Sequence, residues 1–253
     1  MAMDIPPSKC TRIARAVVEA IAGRRLWIVA AAALVGAGAA PPPEKPLVVF
    51  FGGYRSTQAD MNAWASAARR SRGQSFDFLA IAYPANTSFV EREAVLANNV
   101  VIDAIAGQIK ATPNRTFVVV GHSSGGGVAA AVVQEAGGGR KNVRLIVLDD
   151  GIANNFKPPP GFDTARQVEC WSAVSGSLGS LDRVPTRASC KNYHEMRASS
   201  CRTPFCLHFA LVNLNAPPDL NKDTAFVVAP NGTTGGYRNL RVNLSWLDSS
   251  AGM

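Results

Sequence analysis

The feature that most constrains the fold is the stretch TFVVVGHSSGGGVAAAVVQEAGG, residues 116–138. Five residues of strand character run directly into a bend that holds two serines among glycines, and small and β-branched residues follow. An apolar run without alternation is typical of a strand that is covered on both faces. The segment from Gly125 predicts a helix. A strand, a tight turn and a helix in this order indicate a parallel sheet with crossover helices.

The bend reads Gly121-His122-Ser123-Ser124-Gly125, which matches the Gly-x-Ser-x-Gly nucleophile elbow. In that motif the serine occupies a strained turn, so that its oxygen projects into a crevice. Small residues two positions away on either side let the strand and the helix approach closely, and here both are glycine. The helix N-terminus then directs amide donors at an anion beside the serine. The motif predicts Ser123 as a nucleophile; an ordinary glycine-rich turn between strand and helix is the alternative.

The rest of the chain alternates apolar runs with helix signals. Strands are predicted at LVVFFGGY, FDFLAIAYP, TFVVV, VRLIVLDDG and QVECWSAVSG, with a sixth at PFCLHFALV, where a helix is the alternative. Residues 56–73 carry the start and stop signals of a helix, and a capping box at residues 88–91 opens another. The predicted fold class is α/β, with a mostly parallel, doubly wound sheet in a compact domain that has little or no lid. The functional crevice of such a sheet lies at the carboxyl ends of its strands.

On these motifs the chain resembles the α/β-hydrolase superfamily of serine esterases and lipases. The resemblance covers roughly residues 45–212: VVFFGGY is similar to the strand and loop that supply the oxyanion hole, and GHSSGG to the elbow. The His-Gly pair of the family's first loop is Phe51-Gly52 here. The resemblance implies ester hydrolysis through a Ser-His-Asp triad and an acyl-enzyme, without a cofactor. It also implies oxyanion donors at the amides of Ser124 and of Gly53 or Tyr54.

Two other functions remain open at this point. An acyltransferase or thioesterase would use the same triad on the same fold. A non-catalytic binding protein with a hydrolase fold would keep the architecture without the chemistry. The presence of serine, histidine and aspartate in the required chain order favours an enzyme.

A serine hydroxyl is a weak nucleophile that needs a neighbouring base, and the chain has three histidines. His122 precedes the nucleophile and is expected to point away from it, beneath the turn. His194 lies in the polar stretch CKNYHEMRASSC, which we interpret as surface. His208 lies in the apolar segment FCLHFALVNLNAP and is the predicted base; a buried structural histidine is the alternative reading of that position.

The acid that orients the histidine has three candidates. Asp149 and Asp150 end the fourth predicted strand. Two adjacent carboxylates at a strand end are harder to explain as solvated loop residues than a single one. We favour Asp150, next to Gly151. Asp182 is similar to the position after the following strand that many family members use, although its loop is longer than usual.

The first 40 residues predict a secretory leader that precedes a single domain over residues 41–253. Arg24-Arg25 is followed by 15 uncharged residues, 26–40, which end in small residues and lead directly into PPPEKP. Fifteen residues are fewer than the roughly 20 that span a membrane. The leader therefore predicts a secreted or periplasmic protein without a stable membrane span, with an uncleaved N-terminal anchor as the alternative. Cys170, Cys190, Cys201 and Cys206 predict two disulfides in an oxidising compartment.

Charge and motifs exclude other classes of function. The net charge is +8, of which the leader contributes +3, and the remaining basic residues are scattered without aromatic interleaving. That pattern argues against nucleic-acid binding. The sequence holds no P-loop, dinucleotide fingerprint or metal-ligand spacing, so no cofactor and no metal are predicted. The expected partner is a small-molecule or lipid ester substrate.

Overall fold

The structure, a computed structural model, describes part of the chain. The described residues are 44–54, 56–83, 100–137, 140–148, 167–174, 190, 192–197, 204–213, 237 and 241–248. Those from Lys45 onward belong to one compact unit. The leader predicted over residues 1–40 lies outside the described residues and stays a prediction.

The described strands form one sheet in which every neighbouring pair is parallel. The strands are β1 Leu47–Phe51, β2 Asp77–Ile81, β3 Phe117–His122, β4 Val143–Leu148, β5 Val168–Val174 and β6 Asn192–Arg197. Their order across the sheet is β2-β1-β3-β4-β5-β6. The chain therefore moves from β1 to one side, then crosses back over β1 and continues in the other direction. This order confirms the predicted doubly wound α/β fold.

The described helices are α1 Gln58–Arg72, α2 Val100–Ala111, α3 Gly125–Glu135, α4 Pro204–Ala210 and α5 Ser245–Asp248. Helix α1 starts as the sequence predicts, because Thr57 and Asp60 form a reciprocal capping box that satisfies two backbone amides. It ends at Gly73, whose N–H donates to the Arg69 carbonyl.

The core lies on both faces of the sheet. On one face, α1 and the C-terminal segments cover alternate strand residues, and the Trp64 ring stacks on Phe50 with ring centroids 4.0 Å apart. On the other face, α3 packs against β1, β3 and β4, and α2 packs against α3. Because each interior strand is covered on both sides, its sequence is a continuous apolar run rather than an alternation.

Of the two alternatives left open for the segment PFCLHFALV, strand and helix, the structure shows the helix. Residues 204–210 form helix α4, and the sixth strand is β6, which lies in the stretch that we interpreted as polar surface. In α4 the residues Cys206, Leu207 and Phe209 are buried, as in a short helix docked on the core. Strand β6 has half-buried or exposed side chains. Among the described strands it pairs with β5 alone. An outlying strand does not need a run of apolar residues, so its polar sequence could not be recognised as a strand.

The three described cysteines are disulfide-bonded. Cys170 in β5 is bonded to Cys190, which precedes β6 by two residues, and Cys206 is also disulfide-bonded. Cys201 lies outside the described residues. Among the helices that the structure describes, none is both long and apolar enough to traverse a bilayer.

Candidate active site

The site lies where the chain direction across the sheet reverses. Strands β1 and β3 are neighbours, but the connections that leave them proceed to opposite sides of the sheet. The loops after two such strands diverge and leave a crevice at the carboxyl edge, which is where doubly wound folds bind ligands. The loop after β1 is Gly52–Tyr54, and the residue after β3 is Ser123.

Ser123 has the backbone conformation of a nucleophile elbow. Its φ is 55°, and it is the only non-glycine residue in the described part of the chain with positive φ. A serine in this left-handed region is strained and needs support from its surroundings. The support is hydrogen bonding: the Ser123 N–H donates to the Leu148 carbonyl at 2.9 Å, and the Gly126 N–H donates to the Ser123 carbonyl at 2.9 Å.

The glycines of the elbow are required by close backbone contacts. A Cβ on Gly121 would overlap the backbone of Gly125, and a Cβ on Gly125 would overlap the carbonyl oxygens of Phe51 and Gly52. The elbow thus packs directly on the end of β1. Side chains at these positions would force the strand, the helix and the loop apart. The motif therefore requires small residues here.

The loop after β1 lies against the serine. A Cβ on Gly53 would be 2.9 Å from the Cβ of Ser123 and 3.1 Å from the hydroxyl oxygen of Tyr237. The Gly53 N–H donates to that Tyr237 hydroxyl at 2.6 Å. Of the two amides predicted as alternative oxyanion donors in this loop, the one of Gly53 therefore has a buried protein partner. Ser124, the third predicted donor residue, is the N-cap of α3.

His122 is fully buried beneath the elbow. Its Nε2 lies 2.7 Å from the carbonyl oxygen of His208, and its Nδ1 lies 2.6 Å from the hydroxyl oxygen of Tyr237. Burial lowers the pKa of His122 well below its usual value, and the neighbouring His208 acts in the same direction. The bond to the His208 backbone opposes this shift. His122 is therefore a neutral, hydrogen-bonded imidazole at neutral pH.

The structure brings His208 to the elbow. Helix α4 carries it, and its ring centroid lies 4.6 Å from that of His122, the residue that precedes Ser123. His194 lies elsewhere. In the sheet register, His122 aligns with Leu148, Leu148 with Trp171 and Trp171 with His194. Three strand spacings of about 4.8 Å separate His122 from His194 by about 14 Å.

His194 has its own partners in the neighbouring strand β5. Its ring stacks on Trp171 at a centroid distance of 4.5 Å, and its Nε2 lies 3.9 Å from the carboxylate of Glu169. Glu169 is buried and forms an ion pair with the buried Arg144. These contacts leave His194 half-buried on an outlying strand of the described sheet.

The three candidate acids, Asp149, Asp150 and Asp182, lie outside the described residues. Strand β4 ends at Leu148, directly before Asp149, and β5 ends at Val174, eight residues before Asp182. Both strands are parallel to β3. The chain therefore leaves β4 and β5 at the same edge of the sheet as the elbow.

Tyr237 is the residue of the site that sequence reasoning missed. It stands in the stretch NGTTGGYRN, beyond the part of the chain that resembles the hydrolase family, in no periodic pattern. Only its contacts reveal it, because it is buried against His122 and Gly53 across more than 100 residues of sequence. Among the described residues, no group of histidine, cysteine and carboxylate side chains could hold a metal ion.

Searches against family models and curated proteins found no match. Among solved structures, the chain is similar to an acetylxylan esterase, at 17% identity and a TM-score of 0.37, over 83% of this chain and 100% of the other. A cutinase-like protein from Cryptococcus sp. is similar at 14% identity and a TM-score of 0.34, over 64% and 80%. A putative α/β-superfamily hydrolase from Xanthomonas campestris pv. campestris is similar at 14% identity and a TM-score of 0.36, over 61% and 87%.

These similarities are too low to carry an argument about function. The fold assignment rests instead on the sheet order and on the elbow, which the described residues establish directly. A parallel, doubly wound sheet in which a central strand leads through a serine at positive φ into a helix is the structural setting that the Gly-x-Ser-x-Gly motif requires.

Proposed function

We propose that the protein is a serine hydrolase that cleaves carboxylic esters. The observation that carries the proposal is the backbone of Ser123, a buried non-glycine residue held at φ 55° between β3 and α3. Strain of this kind persists only where the surroundings impose it, and it is concentrated at functional sites. An ordinary turn between strand and helix has no need of it.

In the proposed mechanism, the Ser123 oxygen attacks the ester carbonyl carbon while His208 accepts the hydroxyl proton. The tetrahedral oxyanion is held by backbone amides, and its collapse expels the alcohol, which takes the proton from His208. Water then attacks the acyl-enzyme with His208 again as base. This releases the carboxylic acid and restores Ser123.

The oxyanion donors are proposed to be the amides of Ser124 and Tyr54. Ser124 is the N-cap of α3, the helix that follows Ser123, and backbone amides at a helix N-terminus are favourable donors to an anion. Gly53 is the weaker of the two alternatives in the loop after β1, because its amide already donates to Tyr237.

The assignment of His208 as base is supported by its distance from the elbow compared with that of His194. His208 contacts the ring of His122, whereas His194 is separated from His122 by three strand spacings. For the acid we keep Asp150, with Asp149 and Asp182 as alternatives, since all three follow strands that end at the elbow's edge of the sheet.

The proposal includes export. The disulfide between Cys170 and Cys190 supports it, because such bonds are typical of oxidising compartments, in agreement with the predicted leader and a secreted or periplasmic location. The proposed substrate is a small-molecule or lipid ester.

Ester hydrolysis by purified protein tests the proposal. With p-nitrophenyl butyrate, Ser123→Ala is expected to remove activity above the rate of the uncatalysed reaction while it retains the circular dichroism spectrum of wild type. Ser124→Ala is the matched control, because it removes a hydroxyl from the adjacent buried residue but keeps the amide. An inactive wild type supports a non-catalytic binding protein, and transfer of the acyl group to an added alcohol in preference to water supports an acyltransferase.

A further inference from the structure

A chain of buried hydrogen bonds joins three segments that the proposed reaction uses. The Gly53 N–H lies 2.6 Å from the Tyr237 hydroxyl, which lies 2.6 Å from Nδ1 of His122. Nε2 of His122 lies 2.7 Å from the carbonyl oxygen of His208. Gly53 belongs to the loop after β1, His122 immediately precedes Ser123, and His208 is the proposed base. Tyr237 and His122 take no part in the mechanism described above.

The direction of each hydrogen bond in this chain is fixed. A carbonyl oxygen only accepts, so Nε2 of His122 carries a proton and donates it to His208. Because burial lowers the pKa of His122, its ring is neutral and Nδ1 is an acceptor. The Tyr237 hydroxyl must then donate to Nδ1, and its oxygen accepts from the Gly53 amide. Burial, with a smaller effect of Asp60, raises the pKa of Tyr237 well above its usual value despite the opposing bond from Gly53, so the hydroxyl keeps its proton.

The aromatic ring of Phe209 packs against the residues that form these hydrogen bonds. The ring of Phe209 lies 5.4 Å from those of both His122 and Tyr237, and 5.3 Å from that of His208. His122 and Tyr237 are 0% and 1% exposed, so water has no access to replace a broken bond. In such surroundings an unsatisfied donor or acceptor is costly, and the hydrogen-bonded arrangement is strongly preferred to any other.

We propose that Tyr237 and His122 are positioning residues, which hold the backbone of His208 and the loop after β1 in register with Ser123. The inference rests on the proposed function, since it assigns these residues to the same reaction. A base and an oxyanion loop on different segments lose rate steeply when they shift by a fraction of an ångström. The hydrogen bonds connect both segments to the elbow, and they do so through the imidazole of His122.

The first test is spectroscopic and does not depend on activity. The protein has three histidines, so its ¹⁵N-histidine spectrum is simple, and His122→Asn identifies the signals of His122. We expect wild type to show His122 as the neutral Nε2–H tautomer from pH 8 down to at least pH 6, without titration. Among the described residues, the titratable groups that face its ring are His208 and Tyr237. An Nδ1–H tautomer, or ordinary titration of His122 near pH 6.5, overturns the inference.

The second test separates positioning from mere stability. Tyr237→Phe removes one hydroxyl and with it the hydrogen bonds to the Gly53 amide and to Nδ1 of His122. We expect kcat per titrated active site to fall by about 10- to 100-fold with KM changed by less than about threefold. Tyr193→Phe is the matched control: it removes a hydroxyl from a half-buried tyrosine of β6, and its kcat should equal that of wild type.

The outcomes distinguish this inference from the proposed function. If wild type does not hydrolyse esters, the proposed function fails and the inference fails with it. If wild type is active and Tyr237→Phe retains its kcat per active site, only the inference is overturned, even where the melting temperature has dropped. If Tyr237→Phe does not fold, His122→Asn provides the same comparison, because the asparagine oxygen can accept from Tyr237, whereas the shorter side chain has no N–H at the position of Nε2.

Discussion

At the scale of single residues, two features define the elbow: the positive φ of Ser123 and the absence of side chains at the glycines beside it. Both follow from contacts with backbone atoms, which cannot move aside as a flexible side chain would. Gly125 is the clearest case, because an added Cβ would meet the carbonyl oxygens of Phe51 and Gly52 at the end of β1.

We expect Gly125→Ala to destabilise the protein by several kcal/mol, on the order of 2 to 4, because it forces backbone segments apart in a packed core. Gly107→Ala is the control. Gly107 lies within α2, with no atom within 4 Å of an added Cβ, so alanine there should stabilise by about 0.5 to 1 kcal/mol. Urea unfolding of both variants measures the difference. Equal effects at the two positions would show that the elbow is not held by the contact with β1.

Protonation of His122 is expected to limit stability in acid. Its folded-state pKa is depressed, so the unfolded chain binds a proton below about pH 6.5 while the folded protein does not. Stability should therefore fall as the pH drops below that value, by up to about 1.4 kcal/mol per pH unit from this group. Urea unfolding between pH 7.5 and pH 5 should show a steeper loss for wild type than for His122→Asn. Parallel losses in the two proteins would contradict a neutral, buried His122.

At the scale of elements, the sheet separates the two candidate histidines. Strand β6 holds His194 three strands away from β3, whereas α4 carries His208 to the elbow. This distinction depends on where the elements lie, so the polarity of the two sequence segments could not have supplied it with certainty.

We expect His208→Ala to lower kcat by several powers of ten, and the addition of Ser123→Ala to cost little more, since members of a triad act as a unit. His194→Ala should leave kcat within a few-fold of wild type, although it should lower stability because its ring stacks on Trp171. In the same series, one of Asp150→Asn, Asp149→Asn and Asp182→Asn should show a large loss. A large loss at His194 with near-normal activity of His208→Ala would reverse the choice of base.

The interior strands, α1 and the elbow could be predicted from sequence because their patterns are set by local physics. Continuous burial produces apolar runs, and a capping box or a strained turn needs particular residues at fixed spacing. The same patterns could not identify β6 as a strand or α4 as a helix. The short helix is as apolar as an interior strand, and the outlying strand is as polar as a loop. Tyr237 was beyond prediction, since its role comes from contacts with residues distant in sequence.

At the scale of the whole molecule, a disulfide ties β5 to the segment that leads into β6. Cys170 and Cys190 are 20 residues apart and close the long connection between these strands. Loops of this length lose considerable entropy in the unfolded state when they are closed.

We expect Cys170→Ala/Cys190→Ala to lower the free energy of unfolding by about 3 kcal/mol, the size expected for a closed loop of this length. Activity of the folded fraction should persist, because the bond lies in β5 and at the start of β6 rather than at the elbow. Non-reducing peptide mapping of the mature protein should recover the Cys170–Cys190 pair. Four alkylatable thiols in the secreted form would contradict the proposed compartment.

The measurement that tests the central claim most directly is covalent labelling by a fluorophosphonate, followed by peptide mass spectrometry. Such a probe reacts with a serine that an adjacent base activates and that an oxyanion hole assists. The account predicts one adduct per molecule, located on Ser123, present in Ser124→Ala and strongly reduced in His208→Ala. A folded wild-type protein that takes up no probe, or that carries it on a serine other than Ser123, would contradict the account.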